Sequence, residues 1–168
     1  TGANSGVGYA RTQRLMMRGV RVTMICRSAQ RGIAAQQSLK AHCGNEPALY
    51  LADITDLNQI DKVCAQIKTA IEVGQLPPIT CLVHNAGFLP QNLSFTMTGH
   101  ELTVGAHLIG PTRMTAKLLS SFSDYARIIF MSSGGMYFAP LDVEAMLRYT
   151  AHSKQKFDGV FAYALSKR

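Results

Sequence analysis

Apolar residues follow two alternating patterns along the chain. Short apolar runs typical of buried strands occur at residues 20–26, 48–52, 79–83 and 127–131. Between these runs, apolar residues recur at steps of three and four, as they do on one face of a helix. Strands that alternate with helices predict a three-layer α/β fold, in which helices cover both faces of a doubly wound parallel sheet. Ligands of such folds bind at the carboxyl ends of the strands.

The clearest helical pattern lies between the second and third apolar runs. Its apolar face consists of Leu57, Ile60, Val63, Cys64, Ile67 and Ile71. Asp56 is the expected N-cap, because a carboxylate can accept hydrogen bonds from the first N–H groups of a helix. Gly74, followed by Pro77 and Pro78, is the expected stop.

The chain begins with a glycine-rich turn, Thr1-Gly2-Ala3-Asn4-Ser5-Gly6-Val7-Gly8. The turn leads into a predicted first helix from about Ser5 to Arg18, whose less regular apolar stripe is Val7, Ala10 and Met17. Glycines let the backbone approach a ligand closely, and the helix would direct its N–H groups at a phosphate. We interpret the turn as a phosphate-binding site, with an ordinary strand-to-helix loop as the alternative.

Composition and charge narrow the class of protein. The 168 residues suit one domain, and a hydrophobic content of 47% excludes a disordered chain. No apolar stretch approaches the roughly 20 residues that a membrane-spanning helix needs. The net charge of +7 comes from residues 1–45, which hold seven Arg or Lys and no Asp or Glu. Because this charge surrounds the glycine turn, without a basic run or interleaved aromatics, we predict no nucleic-acid partner.

Neither the cysteines nor the histidines indicate a metal site. The four cysteines, Cys26, Cys43, Cys64 and Cys81, include no Cys-x-x-Cys pair, and three lie in predicted strands or helices. We expect them to be small core residues in a reducing compartment. The five histidines also lack the spacing of metal ligands.

Both ends of the chain are expected to be truncated. A glycine turn of this kind should follow a buried strand, and the chain stops inside its last predicted helix. We expect a cytoplasmic protein, although a targeting segment would be lost with such an N-terminus.

Arg27 and Ser28 follow the first apolar run, about 20 residues after the glycine turn. An NAD site presents a carboxylate to the ribose hydroxyls here, but Cys26 stands in its place. Arg27 and Ser28 can instead hold a 2′-phosphate through charge-assisted hydrogen bonds. The sequence therefore predicts NADP(H) in preference to NAD(H), with an ordinary surface arginine as the alternative.

Polar segments also follow the next two apolar runs. They are Asp53-Ile54-Thr55-Asp56 and His84-Asn85-Ala86-Gly87. Asp53 is as typical of a turn or cap as of a ligand contact, and Asn85-Ala86-Gly87 is typical of a turn. Both segments nevertheless lie where the fold predicts ligand contact.

The last polar group combines Ser132 and Ser133 with Tyr163-Ala164-Leu165-Ser166-Lys167. Tyr163 and Lys167 are four positions apart and would share a helix face. A phenol, with a reference pKa of about 10, shuttles protons at neutral pH only if a nearby cation stabilises its phenolate. Lys167 can supply that cation, and a serine hydroxyl can bind the substrate oxygen. By itself, Tyr-x-x-x-Lys is most often ordinary helix surface.

Taken in order, these motifs resemble the short-chain dehydrogenase/reductase family over essentially the whole chain. They are Thr1-Gly2-x-x-x-Gly6-x-Gly8, Asp53, Asn85-Ala86-Gly87, Ser133 and Tyr163-x-x-x-Lys167. The glycine spacing resembles that of the family's classical branch and is unlike that of the extended branch of nucleotide-sugar epimerases. Residues 132–137 and 157–159 more narrowly resemble the member-12 group of dehydrogenase/reductases.

The resemblance implies one Rossmann-type dinucleotide-binding domain at residues 1–168, lacking its first strand and its C-terminal substrate-binding part. The implied contacts of the pyrophosphate and adenosine ribose are Gly2, Asn4, Ser5, Gly6, Val7 and Gly8. Arg27 and Ser28 would hold the 2′-phosphate, and Asp53 and Ile54 the adenine. The implied contacts of the nicotinamide ribose are Asn85, Ala86 and Gly87. The implied catalytic residues are Ser133, Tyr163 and Lys167.

Three departures from the family pattern stand out. His84 replaces the first asparagine of the usual Asn-Asn-Ala-Gly, which we expect to be tolerated. His107 aligns with an asparagine often found in the long central helix, where the family has a proton relay to solvent. Ser133 and Tyr163 are farther apart than usual, and the inserted residues 136–158 are expected to shape the substrate mouth.

The implied activity is an NADP(H)-dependent oxidoreductase that transfers hydride between nicotinamide and a carbonyl or alcohol substrate. A homodimer or homotetramer would follow from the family's pairing through long helices. The alternative function is a catalytically inactive NADP(H)-binding sensor or scaffold, which His107 and the abrupt ends of the chain motivate.

Overall fold

A computed structural model describes residues 1–149 and 156–168. Its strands are β1 (Thr23–Cys26), β2 (Ala48–Leu51), β3 (Ile79–His84) and β4 (Phe122–Phe130). Its helices are α1 (Gly6–Met16), α2 (Ala29–Cys43), α3 (Leu57–Glu72), α4 (Leu102–Val104), α5 (Gly110–Leu118), α6 (Val143–Met146) and α7 (Gly159–Lys167). A π-helical turn, Gly105–Ile109, joins α4 to α5, and 3-10 turns form at Leu119–Ser121 and Gly134–Phe138.

The strands form two parallel pairs that the N-terminal residues connect. β1 pairs with β2, and β3 pairs with β4. Between the pairs, the Thr1 amino group donates to the Val83 carbonyl at 2.8 Å, and Gly2 N–H donates to the Ile25 carbonyl at 2.9 Å. The glycine turn is therefore fixed at the carboxyl ends of β1 and β3.

Alternation along β1 places a core on each of its faces. Met24 and Cys26 belong to one cluster, which includes Leu39 of α2. Ile25 belongs to the other cluster, which includes Ile60 of α3 and Met114 of α5. Because successive strand side chains point to opposite faces, helices cover both sides of the sheet. The predicted three-layer doubly wound fold is confirmed.

The prediction for α3 is confirmed in detail. Ile60, Val63, Cys64 and Ile67 are buried, and Leu57 and Ile71 pack partly buried against them. The Asp56 carboxylate accepts hydrogen bonds from the N–H groups of Asn58 and Gln59, as expected of an N-cap. On the outer surface, Asp61 lies 2.6 Å from Arg113 and 3.5 Å from Lys117, which joins α3 to α5.

The predicted apolar stripe of α1 is wrong. Val7 and Met17 are 63% and 69% exposed, whereas Gly8, Thr12 and Met16 form the buried face. Thr12 can be buried because its hydroxyl donates to the Gly8 carbonyl at 2.9 Å. The periodicity of apolar residues does not reveal this face, because it consists of a glycine, a threonine whose hydroxyl is hydrogen-bonded within the helix, and one methionine.

The expectation of buried cysteines holds for Cys26 and Cys64 and is wrong for Cys81. Cys81 alternates with the buried Leu82 along β3 and so lies on the opposite, exposed face. Cys43 is half-buried, and all four thiols are free. No helix within residues 1–149 or 156–168 is long and apolar enough to cross a membrane.

Candidate active site

The glycine turn wraps tightly around the start of α1. Gly2 and Gly6 have positive φ angles of 65° and 51°. At Gly8, a Cβ would overlap the Gly2 carbonyl oxygen and lie 2.6 Å from Asn85 Nδ2. In the described part of the chain, the Ser5 side chain makes no capping hydrogen bond to α1, whereas Ser28 caps α2. The N-terminus of α1 therefore suits an anion.

Thr1 and Asn85 tie the glycine turn to the segment after β3. The Thr1 hydroxyl accepts hydrogen bonds from the N–H groups of Asn85 and Ala86 at 3.2 and 3.1 Å. The Asn85 amide donates to the carbonyls of Thr1 and Gly2 at 3.2 and 3.4 Å. Both side chains thus support the turn, and the sequence did not predict this role for either of them.

A cleft of about 470 Å³ runs from this turn to α7. The predicted site residues that line it are Gly2, Asn4, Ser5, Val7, Gly8, Arg27, Asp53, Ile54, Asn85, Ala86, Gly87, Tyr163 and Lys167. Three predicted residues, Gly6, Ser28 and Ser133, lie outside its lining. Thr55 and Ser132, which belong to the predicted polar segments, also line the cleft, and the lining residues that the sequence did not indicate are Ile25, Arg31, Ala52, Phe88 and Met131.

Two arginines lie at the β1 end of the cleft. Arg27 is 65% exposed, and its guanidinium lies 3.6 Å from the Asp53 carboxylate. That carboxylate also accepts hydrogen bonds from the N–H and hydroxyl of Thr55 at 2.9 and 2.8 Å. Ser28 accepts a hydrogen bond from Arg31 N–H at 3.3 Å as the cap of α2. Arg31 lies in the first turn of α2, four residues after Arg27, which precedes the helix.

Tyr163 and Lys167 lie at the opposite end of the cleft, and both belong to α7, where their four-residue spacing predicted a shared face. The Lys167 ammonium is 5.9 Å from the centroid of the Tyr163 ring. It donates to the Met131 carbonyl at 2.7 Å, and the Ser132 hydroxyl donates to the Lys167 carbonyl at 2.6 Å. These bonds fix the end of α7 to the end of β4. Burial lowers the pKa of Lys167 from its ordinary value.

Ser133 approaches Tyr163 from the 3-10 turn that follows β4. Its hydroxyl accepts a hydrogen bond from Gly135 N–H at 3.1 Å. A Cβ on Gly135 would lie 3.2 Å from Tyr163 Cε1 and 3.5 Å from Ser133 Oγ, so both side chains border Gly135. Ser133 therefore flanks Tyr163 from outside the main cleft, and Ser132 faces the cleft.

The inserted segment packs against α7. Ala139 and Ala145 form a small core with Ala164 and Leu165. The rings of Tyr149 and Phe157 contact each other edge to face, with centroids 5.1 Å apart. Residues 150–155 of the predicted insertion lie outside the described residues. The described part supports the helix that carries Tyr163 and Lys167.

A second, mostly apolar hollow adjoins Tyr163. It has a volume of about 360 Å³ and is lined by Gly87, Phe88, Leu89, Gly135, Phe138, Val160 and Tyr163. Tyr163 lines both this hollow and the main cleft. The phenol is therefore accessible from two neighbouring spaces, one rich in polar backbone and charge, the other apolar.

Two buried histidines lie close to the cleft. His84 bonds the Thr115 hydroxyl at 2.8 Å, and burial lowers its pKa to about 4. His107 bonds Phe88 N–H at 3.2 Å and the Ser166 hydroxyl at 2.8 Å. Burial, assisted by the Lys167 charge, lowers the pKa of His107 to about 3. Within the described residues, no three His, Cys, Asp or Glu side chains form a group that could hold a metal ion.

These histidines should make the fold sensitive to acid. Both pKa values lie below the ordinary 6.5, so the unfolded chain binds more protons between that value and about pH 4. The stabilisation that comes from keeping these two histidines neutral is therefore fully present above pH 6.5 and is lost as the pH falls. We expect the free energy of unfolding to drop by about 2 kcal/mol per histidine between pH 7.5 and 5.0. Urea unfolding at both pH values would measure this, and His84→Asn should remove about half of the drop; equal stability at both pH values would contradict it.

The fold and the site together define a Rossmann-type α/β domain with a cleft at the carboxyl ends of its strands. A family model described as short chain dehydrogenase matches residues 1–162. Human dehydrogenase/reductase SDR family member 13 is 32% identical over 169 residues, covering 99% of this chain and 42% of that relative. Human retinol dehydrogenase 14 is 27% identical over 183 residues, covering 99% of this chain and 52% of that relative.

The chain therefore belongs to the short-chain dehydrogenase/reductase family, as its motifs predicted. It spans about half the length of these curated relatives. An uncharacterised protein from Mycobacterium paratuberculosis superposes with a TM-score of 0.80 at 24% identity, over 99% of this chain and 55% of that one. A blue fluorescent protein from a metagenomic library, solved with NADPH, superposes with a TM-score of 0.71 at 26% identity, over 99% of this chain and 60% of that one.

Proposed function

We propose that this chain is an NADP(H)-dependent oxidoreductase acting on a carbonyl or alcohol, and that residues 1–168 belong to one dinucleotide-binding domain. The observation that carries the proposal is the continuous cleft from the uncapped N-terminus of α1 to the Tyr163–Lys167 pair. The cofactor, when bound, supplies or accepts the hydride at its nicotinamide ring. The residues that line the cleft fit a dinucleotide and are proposed to bind it and to transfer the proton.

The phosphate end of the cleft suits a dinucleotide. The close approach of Gly8 to Gly2 leaves the backbone of the turn open to a pyrophosphate, and Ser5 leaves α1 without a side-chain cap. Asn4, Ser5 and Val7 line the adjoining surface. Asp53 and Ile54 line the part of the cleft where the adenine is proposed to bind, and Ala86 and Gly87 line the part proposed for the nicotinamide ribose. Asn85 holds this arrangement together through its bonds to Thr1 and Gly2.

Tyr163 is the proposed general acid and base. In reduction it donates its phenolic proton to the substrate oxygen as the carbonyl carbon becomes an alcohol carbon, and in oxidation it takes that proton back. The Lys167 ammonium supports the developing phenolate across the 5.9 Å that separates it from the ring. Ser133, which flanks the ring beyond Gly135, is proposed to orient the substrate oxygen.

The substrate is proposed to enter from the apolar hollow. Phe88, Phe138 and Val160 line this hollow beside the phenol, so an apolar group next to the carbonyl would be buried there. The rate of NADPH oxidation should be measured with each of two aldehydes, the apolar decanal and the polar glyceraldehyde. The proposal predicts turnover with a higher kcat/KM for decanal. Saturable NADPH binding without turnover of any carbonyl or alcohol would instead favour the inactive sensor.

The cofactor preference is proposed to come from the arginine end of the cleft. Arg27 is held beside Asp53 and exposed to the cleft, with Arg31 next to it and Ser28 at the start of α2. A 2′-phosphate there would gain charge-assisted hydrogen bonds from the guanidinium. A solved structure in complex with NADPH at 26% identity supports the choice of NADP(H).

Replacing Arg27 by alanine should reduce the preference for NADPH over NADH by about tenfold, because a charge-assisted hydrogen bond is lost. NADH binding should change little, since NADH lacks the 2′-phosphate. Fluorescence titrations of both nucleotides would measure the effect, with Arg18→Ala as the control at a residue outside the cleft lining. If Arg27→Ala keeps the wild-type preference, Arg27 is only a surface residue at the end of a strand.

A further inference from the structure

His107 occupies the centre of the π-helical turn between α4 and α5. The residue is only 7% exposed. Its ring lies between the segment that follows β3 and helix α7, and it contacts the Tyr163 ring edge to face, with centroids 5.5 Å apart. π-Helical turns are uncommon and often occur at functional sites. The position brings the ring close to the proposed catalytic tyrosine without placing it in the lining of either pocket.

Both ring nitrogens of His107 have partners, and the partners fix the proton. Phe88 N–H can only donate, so Nε2, at 3.2 Å, must be the acceptor. In a neutral ring the proton then lies on Nδ1, which donates to the Ser166 hydroxyl at 2.8 Å. The Ser166 hydroxyl in turn donates to the Tyr163 carbonyl at 3.0 Å. The hydrogen bonds thus run in one direction, from Phe88 through His107 to the backbone of α7.

This chain of bonds connects the segment after β3, the π-helical turn and helix α7. Phe88 follows Gly87, which lines the cleft. Ser166 lies between Tyr163 and Lys167 on α7, and Lys167 is itself fixed to Met131. Through these bonds, the His107 ring links Phe88, which lines the cleft, to Ser166 of α7.

We propose that His107 is a positioning residue, which holds Tyr163 at its working distance from the cleft by tethering α7 to Phe88. It touches neither substrate nor cofactor and passes no proton to them. This inference rests on the proposed function for its kinetic consequences, but the tether itself can be tested without turnover.

The kinetic test replaces each half of the imidazole separately. His107→Asn keeps a donor for Ser166 and loses the acceptor for Phe88 N–H, whereas His107→Gln can reach Phe88 and loses the donor. Either change should lower kcat about 10- to 100-fold, because a small displacement of a catalytic group is costly. The NADPH dissociation constant should be unchanged. Ser166→Ala should have a similar effect. The double variant His107→Asn/Ser166→Ala should lose no more kcat than the single variant with the larger loss, because both residues act through one tether.

The matched control is His84→Asn. His84 is also buried and bonded to a hydroxyl, but that hydroxyl belongs to Thr115 of α5 and not to α7. This variant should lose stability without a comparable loss of kcat. If His107→Asn instead equals or exceeds wild-type kcat, asparagine restores a relay that histidine interrupts, and the positioning role is refuted. A fall in kcat that merely follows the fall in stability of both variants would also refute it.

A spectroscopic test separates failure of this inference from failure of the proposed function. Ring nitrogen NMR at pH 7 should show a protonated Nδ1 and an unprotonated Nε2 for His107. In His107→Asn, hydrogen exchange of the Phe88 amide should become faster. The opposite tautomer, or an unchanged Phe88 exchange rate, would overturn the tether even in an active enzyme. If the spectra and the exchange rates are as expected but the protein shows no turnover, the tether stands and only the catalytic proposal is rejected.

Discussion

Tyr163→Phe should lower kcat by about 10²- to 10⁴-fold while leaving NADPH affinity nearly intact, because the variant loses only the group that exchanges a proton with the substrate oxygen. The ring itself stays in place, since its contacts with His107 and Lys167 do not need the hydroxyl. Steady-state kinetics with the best carbonyl substrate, together with an NADPH titration, would measure both quantities.

Tyr125→Phe is the control for this experiment. Tyr125 is 92% exposed on β4, so its hydroxyl should contribute nothing to turnover. Survival of most of the wild-type kcat in Tyr163→Phe would show that another group handles the proton, and the assignment of Tyr163 would be wrong. A large loss of NADPH affinity would show that the phenol mainly serves binding.

Gly8→Ala should weaken NADPH binding by about 10- to 100-fold, because a methyl group forced into a packed turn typically costs 1–3 kcal/mol. The added Cβ would overlap the Gly2 carbonyl and press on the Asn85 amide. Both groups hold the glycine turn against the segment after β3, so the turn would open where the phosphates are proposed to bind. Fluorescence titration, with thermal unfolding measured in parallel, would separate lost affinity from lost fold.

Gly134→Ala provides the matched control, because a Cβ at Gly134 would meet no described atom within 4 Å. This variant should keep wild-type NADPH affinity. Equal affinities for wild type, Gly8→Ala and Gly134→Ala would mean that the glycine turn is an ordinary loop and not a phosphate-binding site.

Local patterns in the sequence were sufficient to predict much of the fold. The spacing of apolar residues in α3 and the capping carboxylate of Asp56 both involve neighbours within one or two helical turns, so the sequence displays them directly. Likewise, four-residue spacing alone placed Tyr163 and Lys167 on one face of α7. The face of α1 was mispredicted because its burial depends on Thr12, whose hydroxyl is satisfied inside the helix.

Contacts between distant parts of the chain could not be predicted in this way. The bonds of Thr1 to Asn85 and Ala86, and of His107 to Phe88 and Ser166, each join segments far apart in sequence. No pattern within one segment records which atoms will meet after folding. The same limit explains why the sequence did not show Asp53 beside Arg27 or Ser132 bonded to the end of α7.

A side-by-side fluorescence titration of the full-length protein with NADPH and NADH tests whether the cleft binds NADP(H). We expect saturable binding of NADPH that is at least about tenfold tighter than that of NADH, because the arginine end of the cleft would hold the 2′-phosphate. Saturable binding of neither nucleotide would show that the cleft between the glycine turn and Tyr163 has a different function.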